Sequence, residues 1–432
     1  MKTTPASALS RSFWPVIALA LVLLLGVWWF RSEPEPRFAD TDARIAWYKA
    51  RVGGRGTYPL HARLGLACLQ KARETGQPQW FAEAERHLRT SVGYQANYEG
   101  LLGLGMVHAA RHEFAEAQRY ATEATAAMPE SLEAQGLLFE IALALGDTER
   151  AGAVVASMTA RAPGTFEATT REAAFQEYRG QMQAALDATT AACNDANGRS
   201  LPAGLRAWCE VRRGSLQLAA RCDPAGAEQA YQKALSILPD YYFAREHLAE
   251  LRAAQGVLSE ATTLTESLLR DVPGPRYRLA LADVYELEGK HDPVQALRQQ
   301  ANDEFWREAL RGSHEHVAAH AVLLVEITSG VSEALQMIED EWKSRKDTIT
   351  AAALARIYLA GGMQQEAEQA MDEAMRSGRR NPDLLLSSAE IHLQGDRRDE
   401  ARALLGQATV CPAALTPGEQ LLARKLHAAL PQ

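Results

Sequence analysis

Along this chain, apolar stretches come in two kinds. Residues 13–30, FWPVIALALVLLLGVWWF, form one apolar run without a charge. From about residue 58 onward, helical stretches are instead cut by glycine and proline at a regular interval. Pro129 and Pro163 are 34 residues apart, as are Pro239 and Pro273. Ala117, Ala151 and Ala185 keep the same step, Ala227 and Ala261 repeat it, and Ala334, Ala367 and Ala401 take it up again. Gly146 and Gly180 fall at the turn between the two helices of their units. A self-similar period of this length predicts stacked helical hairpins, because one hairpin cannot bury its own apolar face and needs neighbours.

Within one period, Leu104-Gly105, Ala117, Ala124 and Pro129 stand in the order of a tetratricopeptide repeat's leucine-glycine pair, packing alanines and closing proline, and Leu64-Gly65 repeats the pair. The chain resembles tetratricopeptide-repeat proteins on these residues. The resemblance implies an all-α, right-handed superhelix of about ten helix-turn-helix units over residues 58–412. Gly105 and Ala117 would then sit where paired helices cross, with no room for a larger side chain. Units are expected at 58–92, 98–131, 132–165, 166–199, 208–241, 242–274, 275–311, 315–347, 348–381 and 382–412. An eight-residue insertion near 197–204 interrupts the register, and Val294 takes the alanine's place in the seventh unit. Residues 413–432 are expected to form a solvating cap helix, polar on its outside through Glu419, Arg424 and Lys425.

The 13–30 run would span about 27 Å as a helix, close to the hydrocarbon thickness of a bilayer. Trp14 at one end and Trp28 and Trp29 at the other suit the two interfaces. No small-x-small cleavage site follows the run, so an uncleaved single-pass anchor is expected, with residues 1–12 as a short basic head and 31–57 as a tether. Arg31, Arg37, Arg44 and Lys49 outnumber Lys2 and Arg11 and favour a cytoplasmic repeat domain; a short basic head before an anchor favours the outside. The expectation taken is extracytoplasmic, in a bacterial-type envelope, on the periplasmic side. Net charge is −8, and the first 31 residues hold three basic and no acidic side chains, so the remainder is more acidic still. This disfavours nucleic acid as a partner.

Five cysteines, Cys68, Cys193, Cys209, Cys222 and Cys411, form no CxxC pair and no recognisable disulfide framework. Cys209 and Cys222 are roughly 20 Å apart along helix and turn, too far to bridge. Cys193 and Cys209 lie on successive helices and could meet; buried small apolar residues is the expectation for all five.

Candidate binding residues come from the resemblance, in which the second position of each first helix faces the concave surface. Glu99, Glu133 and Glu167 take that position in three successive units, and Arg212, Arg213, Phe243, Glu246 and Glu250 fall near it farther on. The expected partner is a protein or peptide, with a basic segment facing the glutamates. Lysine and asparagine clamps used by chaperone-binding members are absent there. His314, His316 and His320 offer an alternative, a metal-dependent enzyme or metal-binding protein, since His316 and His320 are spaced i, i+4; the order is not HExxH and no third ligand follows. His108 and His112 share the spacing. Gly53-Gly54-Arg55-Gly56 lacks the Gly-Lys-Ser/Thr of a phosphate loop. With no nucleophile elbow, catalytic Cys–His pair or dinucleotide loop, the chain reads as a membrane-anchored scaffold, neither an enzyme nor a cofactor protein. Anchored tetratricopeptide proteins of lipopolysaccharide assembly end in a four-cysteine knuckle; only Cys411 lies near this end.

Overall fold

The computed structural model describes residues 35–52, 58–310, 314 and 316–430. The expected anchor and basic head lie outside these residues. Among the described residues, no helix is long and apolar enough to cross a membrane.

Twenty-two α-helices and no strand occupy the described residues. After α1 (Thr41–Val52), hairpins pair α2 (Tyr58–Thr75) with α3 (Gln79–Tyr94), α4 (Tyr98–Ala110) with α5 (Phe114–Ala127), and α6 (Leu132–Ala144) with α7 (Thr148–Arg161). Next come α8 (Phe166–Tyr178) with α9 (Met182–Gly198), α10 (Ala203–Arg221) with α11 (Pro224–Ile237), and α12 (Tyr242–Ala254) with α13 (Leu258–Asp271). The last four are α14 (Pro275–Leu287) with α15 (Asp292–Leu310), α16 (Val317–Thr328) with α17 (Val331–Ser344), α18 (Thr348–Ala360) with α19 (Gln364–Met375), and α20 (Pro382–Gln394) with α21 (Arg398–Ala408). A 3-10 turn at Pro412–Ala414 leads into α22 (Pro417–Ala429). These ten hairpins are bounded by a further helix at each end, so the helical array is longer than the expected ten units.

Local chemistry starts the helices. Asn97, Ser131, Asp147, Asp223 and Asp347 cap their helices by accepting a backbone N–H three residues on, and Thr416 with Glu419 forms a full capping box. The crossings behave as expected. Ala117, Ala151, Ala185, Ala227, Ala261, Ala334, Ala367 and Ala401 are all fully buried. A Cβ on Gly105 would meet Leu137 Cδ2 at 2.8 Å. The register read from the alanines is the register of the fold.

The solenoid winds back on itself. At the inter-helix turns, Gly146 and Gly180 hold left-handed backbone, at φ 75° each. Both are also pressed by a distant loop. A Cβ on Gly146 would lie 3.0 Å from the Lys346 carbonyl oxygen, and one on Gly180 only 2.3 Å from that of Gly378. The Lys346 N–H donates to Ala144 O at 3.0 Å. One hairpin earlier, His112 takes the left-handed position and its Nδ1 lies 3.0 Å from Arg345 Nη1. One hairpin later, Cys222 takes it, and its sulfur is bonded to that of Cys411, with Cα atoms 5.4 Å apart. The turns of four successive hairpins thus form a seam with loops 345–347, 378–379 and 411.

Two expectations are corrected here. Cys193 and Cys209 are bonded to each other, with Cα atoms 5.6 Å apart, and only Cys68 remains a buried free thiol. The long-range partner of Cys222 is invisible to helical spacing, because the winding brings it there. Nor is α22 merely an outward-facing cap. Ala423, Leu426 and Leu430 bury against α20 and α21, while Leu421 packs onto the cluster of Ala253, Ala261 and Val284 on α12 to α14.

Candidate binding site: a half-open lumen

First helices of successive hairpins form the inner wall, and the winding curves it around a lumen. Helices α14, α16, α18, α20 and α22 line a half-open cavity of about 1290 Å³. A second space of about 390 Å³ lies between α4, α6, α8, the end of α2 and the start of α18. Thr348, Ile349 and Arg379 line both. Ile349 exposes 58% of its surface, although it stands between the two cavities. An aliphatic side chain left open inside a concave wall is a ready apolar contact.

The wall's charges are largely paired with one another. Arg171 on α8 reaches Glu140 on α6 at 2.7 Å, and Arg356 on α18 reaches Glu326 on α16 at 3.1 Å. Lys425 on α22 reaches Glu390 on α20 at 2.7 Å. Arg212 on α10 and Arg276 on α14 take Glu177 and Glu246 in the same backward step. Five wall helices, α8, α10, α14, α18 and α22, thus hand a cation to the previous one. The sequence carries this as a basic residue 30 to 35 positions after an acidic one.

The expected binding residues divide. Glu133 is exposed and accepts from Ser131 Oγ at 3.0 Å. Glu99 is half-buried, 3.5 Å from Arg63, and Glu167 takes both Nη atoms of Arg199 at 2.8 and 3.0 Å. Arg199 holds Glu167 below the usual carboxylate range against the opposing effect of burial. Arg213 pairs with the buried Glu210. Glu246 is buried with Tyr277 donating to it at 3.0 Å, and burial raises its pKa. Glu250 bonds His247 at 2.7 Å, and Phe243 stacks edge-on against the same imidazole. These groups are held by their own chain more than they are offered to solvent.

The histidines do not converge. His314 is exposed, 3.4 Å from Glu341, and His316 lies 2.8 Å from Glu308. His320 is buried, bonds Asn302 at 3.1 Å and stacks on Phe305; burial lowers its pKa to about 4. His108 meets Glu113 while His112 turns to Arg345, so that pair also diverges. Among the described residues, no three His, Cys, Asp or Glu side chains are grouped to hold a metal.

Where α22 meets the wall, carboxyls collect. Asp283 on α14 lies against Gly418, where a Cβ would be 3.0 Å from its Oδ2. Burial pushes Asp283 up to about 6 despite Arg298, and burial pushes Glu419 up to about 7, with Asp383 and Glu250 adding to the rise.

No curated protein matches the chain. Several solved structures are similar. One is the APC/C hetero-tetramer Cut9–Hcn1, at 12% identity over 90% of this chain and 67% of that one, with a TM-score of 0.49. Another is yeast Tom70, at 13% identity over 96% of each chain, with a TM-score of 0.33. A third is a tetratricopeptide repeat protein from Parabacteroides merdae ATCC 43184, at 16% identity over 61% of this chain and 98% of that one, with a TM-score of 0.34. Residues 108–169 match the tetratricopeptide-repeat model, and the described residues as a whole form an all-helical solenoid of stacked hairpins.

Proposed function

We propose that this chain is a scaffold that holds a segment of a partner protein against its first-helix wall, anchored by residues 13–30 with its repeats on the extracytoplasmic side. The lumen of about 1290 Å³, lined by first helices and floored by small aliphatic side chains, carries the reading. Because the wall's charges are internally paired, the partner's apolar surface contributes more to recognition than a basic segment would. Two bonded cysteine pairs suit an oxidising compartment, which supports the outside orientation. Binding, not chemistry, is the proposed role.

A photo-crosslinking amino acid at Ile349 should capture one partner from intact cells. The same group at Gln232, exposed on the outer helix α11, should not capture it. Equal capture from both positions would remove the lumen as the binding surface. A carboxyl-terminal reporter active only in the cytoplasm would reverse the orientation.

A further inference from the structure

We propose that the Cys222–Cys411 bond is a redox latch on the lumen: oxidised, it holds the superhelix closed, and reduced, it lets the last hairpins and α22 swing away so that a polypeptide can enter. This rests on the lumen being the binding surface, and it adds how that surface is opened.

Three observations carry it. First, the bond joins residues 189 apart in sequence, across the seam and not within a hairpin. It ties the turn after α10 to the loop that leads into α22, which forms part of the wall of the larger cavity. Second, the rest of the seam is non-covalent. It includes the Lys346–Ala144 backbone bond, the Arg345–His112 contact, Arg379 at 3.4 Å from Glu177, the close approaches of Gly180 to Gly378 and of Gly418 to Asp283, and the packing of Ala413, Ala414 and Leu421. Beside the bridge itself, Ala413 and Ala414 bury less apolar area than the leucines and aromatic rings of the hairpin cores. At its α22 end, Asp283, Asp383, Glu250 and Glu419 crowd together.

Third, the two bonds in this chain differ in access. Cys193 and Cys209 are buried in a core with Phe166. Cys222 is exposed and Cys411 half-buried. Thiol–disulfide exchange requires a thiolate to reach the bond, so a dithiol reductant attacks the latch and spares the buried pair. In the exchange the dithiol is oxidised to its own disulfide. Two electrons and two protons pass to the protein, leaving Cys222 and Cys411 as free thiols.

The experiment uses the full-length chain with Ile349→Cys as a lumen reporter and a maleimide bearing a polymer wider than the half-open mouth of the lumen. With the latch intact, labelling should be slow. In the Cys222→Ser, Cys411→Ser background, which leaves the 193–209 pair untouched, it should be about tenfold faster or more, tracking the open population. Gln232→Cys, on the outer face, should label at one rate in both backgrounds. Hydrogen exchange supplies a readout that needs no added cysteine: amides at 144–147, 345–348, 378–380 and 415–421 should exchange faster in the serine variant, with α4 and α5 unchanged. Equal Ile349→Cys labelling in both backgrounds, or faster exchange spread evenly over all hairpins, would overturn the latch; the latter would make the bond a plain stabiliser. The readouts involve no partner. Opening without partner capture at Ile349 would therefore overturn the binding reading and leave the latch standing.

Discussion

The guanidinium of Arg171 on α8 lies 2.7 Å from the carboxylate of Glu140 on α6. It is one rung of a ladder in which five inner helices are each tied to the one before. The rungs differ in burial, and that sets their worth. Glu140 is mostly solvated, so a double-mutant cycle on this pair should return about 0–1 kcal/mol. Glu246 is buried beneath Arg276 and Tyr277, and Arg276→Ala would strand its charge. That change should cost about 2 kcal/mol, less than for a fully buried pair because the guanidinium itself is half exposed. Urea unfolding of the single and double variants measures both.

Helix crossings tolerate no added volume. Ala151→Leu should overpack the space beside Phe139 and Ala142 and destabilise by about 1–3 kcal/mol. In a solenoid the loss should spread to the neighbouring hairpins. Calorimetry that shows an unchanged melting profile would mean the crossing has room the geometry does not show.

Asp283 and Glu419 should each take stability from the fold as pH rises from mildly acid to alkaline. Asp283 and Glu419 keep their protons in the folded chain to about 6 and about 7, against 3.8 and 4.5 when unperturbed. The groups facing Asp283 are Arg298, Glu326 and Glu286; those facing Glu419 are Thr416, Asp383 and Glu250. Folded protein binds more protons than unfolded protein over that interval, so this contribution is complete below about pH 4 and lost as pH rises through 6 and 7. Glu85, which Arg89 and Arg111 hold low against burial, works the other way and weakens the fold only in acid. Working against this, burial holds His87, His112 and His320 at about 4, so these groups cost stability in acid and return it as pH rises over the same interval. The carboxyl contribution is therefore read by comparing melting: relative to the parent chain, Asp283→Asn with Glu419→Gln should gain on the order of 2 kcal/mol of stability from pH 5 to pH 8.

Cysteine chemistry should be strongly graded. Peptide mapping without reductant should recover both the 193–209 and 222–411 crosslinks. Cys68 is buried and its thiol is pushed up to about 12, so it should resist alkylation until the chain unfolds. Alkylation of Cys68 in the native protein at the rate of an exposed thiol would contradict its placement.

What was legible in the sequence is what a period encodes, namely contacts between neighbours. The eight alanines, Gly105 and the turn glycines report the hairpin crossing directly, since each unit repeats the same steric demand. Residues one superhelical turn apart share no such demand, so the meeting of Gly180 with Gly378, or Cys222 with Cys411, leaves no periodic trace. One signal was nevertheless present. His112 and Cys222 stand 34 residues before Gly146 and Gly256, at a left-handed position where a side chain is strained. A side chain retained there has a use elsewhere, and both reach across the seam. The glutamates at 99, 133 and 167 recur at one position of three successive units, but Arg63 and Arg199, the partners of Glu99 and Glu167, sit in neighbouring elements outside that period.

The Cys222–Cys411 bond also decides how the molecule bears tension. Pulled from its two ends, the chain transmits force through the sulfur bridge, and the hairpins between the bridged residues stand outside the load path. About 190 residues, roughly 600 Å of extended chain, are thereby withheld until the bridge is cut. A tether under mechanical strain would lengthen in two stages, with the second available only after chemical reduction.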